Sequence, residues 1–134
     1  MELTKEEEQK LIQEAMQIRK NAYAPYSNYQ VGAALMTEDG KIFTGVNVEN
    51  SSYPISMCAE RSAIFTAVGV GEKRFKAIAI ATINGGPPCG GCRQVMSEFS
   101  PDMIVITVDE TGKICMRGPV HEILPGAFGP KNLE

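Results

Sequence analysis

The sequence Pro88-Cys89-Gly90-Gly91-Cys92-Arg93-Gln94 predicts the start of a metal-binding helix. Its two cysteines lie three positions apart, directly after a proline and at the beginning of a helical pattern. In the first turn of a helix, side chains at this spacing share a face, so both sulfurs can reach one ion. A third thiolate from elsewhere in the chain would turn this pair into a zinc site with an open coordination position.

A third thiol, Cys58, begins another helical pattern in the segment Met57-Cys58-Ala59-Glu60-Arg61. Three thiolates and a carboxylate that does not bind the metal suit a catalytic zinc site, because the fourth position then remains free for water. Glu60 lies close to the predicted helix start, where it can move a proton of that water if burial raises its pKa. A first-turn glutamate is also favoured by the helix dipole alone, so Glu60 by itself is not diagnostic.

Three thiolates on a divalent ion leave a net charge of -1, which weakens the Lewis acidity that activates water. The positive ends of two helices would offset this charge. A guanidinium beside a sulfur would do the same, and both Arg61 and Arg93 closely follow a predicted ligand. Each arginine can equally be an ordinary surface residue.

Two further residues bear on the metal prediction. Cys115 lies among strand-like residues without a partner cysteine nearby, so we predict a small buried core residue. A closed site of four thiolates that includes Cys115 is the structural alternative, and buried free thiols are another. His121 is the only histidine and is predicted to be a surface or capping residue. The sequence therefore predicts one Zn²⁺ per chain, held by Cys58, Cys89 and Cys92.

The composition predicts a folded domain that spans residues 1–134, with 43% hydrophobic and 22% charged residues. The net charge is -3 and no basic run is present, so a nucleic-acid polymer is disfavoured as a partner and a small uncharged molecule is favoured. The acidic N-terminus lacks an apolar signal segment, and no apolar run reaches membrane-spanning length. We therefore expect a cytoplasmic protein without a membrane partner, in which cysteines stay reduced.

The hydrophobic pattern predicts a layered α/β fold in which helices alternate with strands. Thr4 and Glu7 form a capping box before an amphipathic helix that extends to about Ala22. A hairpin turn with Gly40 joins the first two strands. The predicted strands cover residues 31–37, 42–48, 75–83 and 103–108 with a short fifth strand through Met116, and the later helices begin at Cys58, at Cys89 and at Val120.

Asn47 and Glu49 follow the second predicted strand. Side chains alternate along a strand, so both residues face the same direction beyond its end. An amide and a carboxylate together can bind sugar hydroxyls, because both accept a hydrogen bond and the amide also donates one. The two residues alone do not separate a sugar site from an ordinary polar loop.

The chain resembles the small, homotetrameric type of cytidine deaminase over nearly its whole length. The similar segments, in family order, are residues 23–27, 31–35, 47–50, 57–61, 88–94 and 124–128. The resemblance implies a three-layer α/β/α cytidine-deaminase-like fold with a central mixed five-stranded sheet. It also implies a homotetramer in which neighbouring subunits complete each site.

The implied activity is zinc-dependent hydrolytic deamination of cytidine and 2′-deoxycytidine to uridine and 2′-deoxyuridine plus ammonia, in pyrimidine salvage. Glu60 would be the catalytic proton shuttle between the attacking water, the ring nitrogen and the departing amine. The other roles that the resemblance implies are ribose 3′-hydroxyl binding by Asn47 and Glu49, packing beside the nucleoside by Tyr29, backbone contacts to the pyrimidine by Ala59, charge compensation at zinc by Arg61, and contact with a neighbouring subunit's base by Phe128.

The segment between the third predicted strand and Cys89 is shorter than is usual in this family. Blasticidin S deaminase is a close relative with the same zinc motifs, so an aminohydrolase acting on a modified nucleoside or a blasticidin S-like antibiotic is the alternative enzyme. Residues 47–50 and 51–57 resemble the nucleoside enzymes more closely. A non-catalytic zinc-stabilised binding domain is the alternative from another class of protein.

Overall fold

A computed structural model describes residues 2–133 as alternating helices and strands. In chain order the elements are α1 (Lys5–Ile18), β1 (Gly32–Thr37), β2 (Ile42–Val46), α2 (Ala59–Gly69), β3 (Phe75–Ala81), α3 (Gly90–Phe99), β4 (Ile104–Val108), β5 (Ile114–Pro119) and α4 (Val120–Ile123), with short 3₁₀ turns at Arg19–Asn21, Tyr53–Ile55 and Pro130–Leu133. The strands form one five-stranded sheet with the order β2-β1-β3-β4-β5, in which β3 and β4 are parallel and the other neighbouring pairs are antiparallel. The mixed sheet predicted for the chain is therefore confirmed.

Helices cover both faces of the sheet, which gives the three predicted layers. Strand β1 shows the division, because Leu35 is buried with α2 and α3 whereas Met36 is buried with α1. Such alternation follows from the pleat, which directs successive side chains to opposite faces. No helix within the described residues is both long enough and apolar enough to cross a membrane.

The predicted capping box at the start of α1 is present. The Glu7 backbone N–H donates to Thr4 Oγ1 over 3.1 Å, and the Thr4 N–H donates to Glu7 Oε1 over 3.0 Å. Helix α1 ends at Ile18, and the 3₁₀ turn at Arg19–Asn21 continues the helical path. The helical segment predicted to about Ala22 is thus an α-helix followed by a 3₁₀ turn.

The C-terminal ends of three strands differ from the prediction, and β1 and β4 each begin one residue later than predicted. Strand β2 ends at Val46 and β3 ends at Ala81, so Ile83 lies outside the sheet and is 51% exposed. The chain leaves the sheet after β3 because Thr82 Oγ1 accepts a hydrogen bond from the Gly85 N–H and forms a turn. Strand β5 extends three residues beyond Met116, to Pro119.

The prediction that Cys115 is a buried core residue is wrong, because its side chain is exposed. In the β4–β5 register, Thr107 pairs with Met116 and Val108 pairs with Ile114, which leaves Cys115 without a partner at a register shift. A bulge on an edge strand removes its extra residue from the regular inside–outside alternation. The apolar residues next to Cys115 in the sequence therefore led to the wrong prediction of its burial.

Gly45→Ala is expected to lower the free energy of unfolding by about 1–3 kcal/mol, the usual cost of overpacking. A Cβ atom at Gly45 would lie 2.5 Å from the Ala63 backbone N and 2.6 Å from the Ala59 carbonyl oxygen. Glycine therefore lets α2 approach β2 closely. Chemical denaturation of the zinc-loaded protein measures the change.

Gly69→Ala is the matched control, since a Cβ atom at this end of α2 would meet no atom within 4 Å. Its free energy of unfolding should stay the same or rise slightly. If the free energy of unfolding fell equally in the two variants, the close approach of α2 to β2 would not explain the effect of Gly45→Ala.

Candidate active site

Three of the four cysteines converge at the N-termini of two helices. The Sγ atoms of Cys58, Cys89 and Cys92 all lie within 4.8 Å of one another. Cys58 is the N-cap of α2 and Cys89 is the N-cap of α3, where Cys89 Sγ accepts from the Cys92 backbone N–H over 3.4 Å. Both helices therefore direct their positive ends at the sulfurs, which stabilises thiolates.

The donor set fits a zinc ion. Thiolates are soft ligands that zinc prefers, and three protein ligands are typical of a site that keeps an open position. Within residues 2–133 these cysteines form the only such group of His, Cys, Asp or Glu side chains, and Cys115 is not part of it. A closed site of four thiolates is therefore not formed by the described residues.

The pKa values of the Cys58 and Cys92 thiols are shifted in opposite directions. The hydrogen bond with Cys92 is the largest cause that lowers the pKa of the Cys58 thiol, to about 5, and the Arg61 charge adds to it. The same hydrogen bond and burial raise the pKa of Cys92. A metal ion that binds these sulfurs must displace the protons of the thiols.

The two arginines near the ligands have different roles. Arg61 Nη2 lies 3.4 Å from Cys58 Sγ and 3.8 Å from Cys89 Sγ. Arg93 instead donates to the carbonyl oxygens of Pro88 and Ile123, over 2.8 Å and 2.9 Å. Arg61 is therefore the guanidinium beside the sulfurs, whereas Arg93 connects the start of α3 to α4.

Glu60 is the second residue of α2 and is only 5% exposed. Burial is the main cause that raises the pKa of its carboxyl group, and the charge of Cys58 raises it further. A buried carboxyl group with a raised pKa can both accept and donate a proton near neutral pH. This environment differs from that of a solvated first-turn glutamate.

A cavity of about 330 Å³ opens beside the cysteines. Phe128 does not line it and is 58% exposed, while Cys92 and Arg61 lie outside the lining. Most of the residues singled out in the sequence therefore meet at one cavity. Those that line it are Tyr29, Asn47, Glu49, Cys58, Ala59, Glu60 and Cys89.

Asn47 anchors the loop at residues 22–31 to the cavity rim. Its Oδ1 accepts from the Val31 N–H over 2.9 Å, and its Nδ2 donates to the Tyr29 carbonyl oxygen over 2.8 Å. Val48 forms bridges with both Tyr23 and Met57, so the chain stays extended beyond the end of β2. The second N–H of the Asn47 amide remains available to a ligand.

Glu49 anchors the same loop at a second point. Its Oε1 accepts from the backbone N–H groups of Tyr26 and Ser27, over 3.0 Å and 3.1 Å, and Oε2 accepts from the Ser27 hydroxyl. The hydrogen bond from the Ser27 hydroxyl is the main cause that lowers the pKa of Glu49. Glu49 is therefore an ionised acceptor on the cavity wall.

Several cavity residues were not singled out in the sequence. Ser27 belongs to the anchored loop, while Thr82, Gly86 and Pro87 form the opposite wall in the turn that precedes Cys89. Gly86 and Pro87 belong to the segment ahead of Cys89 that is shorter than is usual in the family, and the resemblance had implied that this segment lies near the base. The hydrogen bond between Tyr29 and Asn84 joins the two sides and has no counterpart in the sequence pattern.

Known proteins share both the sequence and the fold. A model of the family described as the cytidine and deoxycytidylate deaminase zinc-binding region matches residues 5–108. A cytidine deaminase from Sporosarcina psychrophila is 44% identical over 128 residues, which cover 94% of each chain. The crystal structure of a cytidine deaminase from Burkholderia pseudomallei has a TM-score of 0.85 at 46% identity, covering 90% of this chain and 98% of that one.

A blasticidin-S deaminase from Bacillus cereus is also related, with 31% identity over 109 residues that cover 74% of this chain and 76% of that protein. The family match includes α2, both cysteine segments and four of the five strands. It therefore covers the elements that bring the three thiols and Glu60 together. The chain belongs to the zinc-binding cytidine and deoxycytidylate deaminase family.

Proposed function

We propose that this chain catalyses the hydrolytic deamination of cytidine and 2′-deoxycytidine to uridine and 2′-deoxyuridine plus ammonia, in pyrimidine salvage. The observation that carries the proposal is the buried carboxyl group of Glu60, which lines the same cavity as Cys58 and Cys89. A volume of about 330 Å³ suits a single nucleoside. The cytidine deaminases that align with most of this chain at 44% identity support the choice of substrate.

Cys58, Cys89 and Cys92 would hold one zinc ion, which when bound acts as a Lewis acid and makes a water molecule nucleophilic near neutral pH. Arg61 places a positive charge beside two of these sulfurs and so reduces the excess negative charge of the ligand set. The N-termini of α2 and α3 have the same effect.

Glu60 transfers the protons of the reaction. Its raised pKa allows it to accept one proton of the attacking water and pass it to the pyrimidine ring nitrogen, and then to accept the second proton, from the added hydroxyl group, and pass it to the departing amine. Burial keeps bulk water from competing for these transfers. The adjacent Ala59 is the first residue of α2, so its backbone N–H has no partner within the helix and can donate to the base.

Asn47 and Glu49 bind the sugar in this proposal. The amide retains a free donor, and the ionised carboxylate retains lone pairs, so both can bind the ribose 3′-hydroxyl. Tyr29 packs beside the nucleoside from the same anchored loop. The loop contacts of both side chains support this role because they fix the sugar-binding groups before substrate arrives.

A substrate panel tests the proposed reaction. Purified protein with its zinc quantified should turn over cytidine and deoxycytidine in preference to blasticidin S. Turnover of blasticidin S without turnover of cytidine would establish the alternative enzyme instead. Stoichiometric zinc without turnover of any of the three would leave the zinc-stabilised binding domain as the better account.

We infer that residues 1–134 act as a single domain in the cytoplasm. The site depends on three free thiols, which persist in a reducing compartment. Large apolar side chains remain exposed on this chain, including Phe65, Val70 and Phe128. Exposed apolar surface of this kind supports the proposed homotetramer, in which neighbouring subunits cover it.

Phe128→Ala is expected to raise the KM for cytidine by about 10-fold or more, the scale of a truncated aromatic contact. Phe128 lies outside the cavity of its own chain, and its carbonyl oxygen accepts from Gln94 Nε2 of α3 over 2.8 Å. The C-terminal segment is therefore held to the metal-binding helix while the aromatic ring remains free to reach a neighbour. Steady-state kinetics and light scattering measure the effect.

Leu133→Ala is the control, because Leu133 is another exposed apolar residue of the C-terminal segment. It should leave the KM unchanged. If Phe128→Ala also left the KM unchanged in an intact tetramer, Phe128 would not complete a neighbour's site.

A further inference from the structure

We propose that Asn84 is a positioning residue that fixes the width of the nucleoside cavity by joining Tyr29 to the turn at residues 82–87. Asn84 does not line the cavity itself, whereas Tyr29, Gly86 and Pro87 do. The nucleoside in this cavity is the ligand of the proposed function, on which this role of Asn84 rests. Asn84 therefore acts on the ligand through the residues that it holds in place.

One oxygen atom of Asn84 accepts hydrogen bonds from the loop that contains Tyr29 and from the turn at residues 82–87. Oδ1 accepts from the Tyr29 hydroxyl over 2.7 Å, from the Gly86 N–H over 3.2 Å and from the Thr82 hydroxyl over 3.3 Å. We call this set of contacts the Asn84 junction. The Tyr29 hydroxyl and the Gly86 N–H both donate at this point, so the carbonyl oxygen of the Asn84 amide, rather than its NH₂ group, faces the junction.

The turn at residues 82–87 is held in place by contacts other than the hydrogen bond to Tyr29. Thr82 Oγ1 accepts from the N–H groups of Gly85 and Gly86, over 2.7 Å and 3.1 Å, and Asn84 forms a β-bridge with Asp109 after β4. Gly85 is buried, and a Cβ atom there would lie 2.3 Å from Cys115 Sγ. The turn is therefore fixed by its own hydrogen bonds and by contact with β5.

The orientation of the Tyr29 ring depends on the Asn84 junction. Its backbone is held by Asn47 and Ser27, but these contacts do not fix the direction of the ring. The hydrogen bond from the Tyr29 hydroxyl to Asn84 fixes the direction of the ring, because it holds the far end of the side chain to a residue 55 positions away in sequence. A Cβ atom at Gly86 would lie 2.8 Å from the Tyr29 hydroxyl oxygen, so glycine at this position permits the close approach.

Asn84→Ala is expected to raise the KM for cytidine by about 5- to 10-fold, the effect of one net hydrogen bond, with kcat within about 2-fold. The ring would lose its fixed position while Glu60 and the cysteines remain in place. Asn84→Asp keeps the acceptor oxygen and should keep the KM near the wild-type value. An unchanged KM in Asn84→Ala, or a fall in kcat alone, would overturn the proposal.

Tyr29→Phe tests whether both residues act through the same bond. It removes only the hydroxyl and should raise the KM by a similar factor. The double variant Tyr29→Phe with Asn84→Ala should then be little worse than either single variant, because the shared bond can be lost only once. Multiplicative effects on the KM would show that the two residues act independently and would overturn the junction.

Amide exchange provides a measurement that does not depend on turnover. The Gly86 N–H is shared between Asn84 Oδ1 and Thr82 Oγ1, so in the zinc-loaded protein its exchange, followed by NMR, should be moderately faster in Asn84→Ala than in the wild type or in Asn84→Asp. Unchanged exchange would overturn the junction even if cytidine is a substrate. Absence of cytidine turnover by the wild type, with faster exchange in Asn84→Ala, would reject the proposed function while supporting the junction.

Discussion

Glu60→Gln is expected to lower kcat for cytidine by at least about 10²-fold, the scale of general acid–base catalysis, with zinc content and fold retained. The carboxyl group is 5% exposed and lines the cavity beside the cysteines, so a proton-transfer role would be lost with the acid. Glutamine has nearly the same shape as glutamate but can neither take up nor release a proton near neutral pH. Single-turnover kinetics, metal analysis and circular dichroism measure the three quantities.

Glu6→Gln is the matched control for this substitution. Glu6 is also a first-turn helical glutamate, but it is exposed at the start of α1. A contribution to the helix dipole alone would make the two variants alike, since such contributions are about 0.3–1 kcal/mol. Full activity of Glu60→Gln would therefore refute the role of Glu60 as proton shuttle. Glu60 would then contribute only a negative charge at the start of α2.

The parts of the structure that depend on local pattern were predictable from the sequence. The capping box at Thr4, the turn at Gly40 and the helix starts at Cys58 and Cys89 each depend on residues within a few positions of one another. The three thiols could be grouped because both cysteine segments begin helices, whose N-termini favour anionic ligands. The resemblance to the deaminases then supplied the three layers and the mixed five-stranded sheet, whereas the order of the strands came from the structure.

The parts that depend on distant partners were not predictable. Cys115 has apolar neighbours in sequence, but its exposure follows from the register between β4 and β5. The residues alone left Arg61 and Arg93 as equal candidates; the resemblance favoured Arg61, and the carbonyl partners of Arg93 explain why Arg93 lies elsewhere. Glu49 was predicted to face a ligand, but its contacts with Ser27 come from a loop 22 positions earlier.

Cys89→Ser is expected to weaken zinc binding by at least about 100-fold, because loss of an outer-shell partner alone costs 10–100-fold. A serine hydroxyl is a harder and poorer ligand for zinc than a thiolate. Serine is also a favourable N-cap residue, so α3 should still begin at Gly90 after the substitution. Competition with a chromophoric chelator measures the affinity, and circular dichroism reports the fold.

Cys115→Ser is the matched control, since Cys115 is likewise an exposed free thiol but lies outside the group of three sulfurs. It should retain one zinc ion per chain and full deaminase activity. Loss of zinc in Cys115→Ser would revive a site of four thiolates, in which no position remains for water and Glu60 has no proton to transfer. Retention of tight zinc binding in Cys89→Ser would instead remove Cys89 from the ligand set, and the two cysteines of α3 would no longer act as a pair.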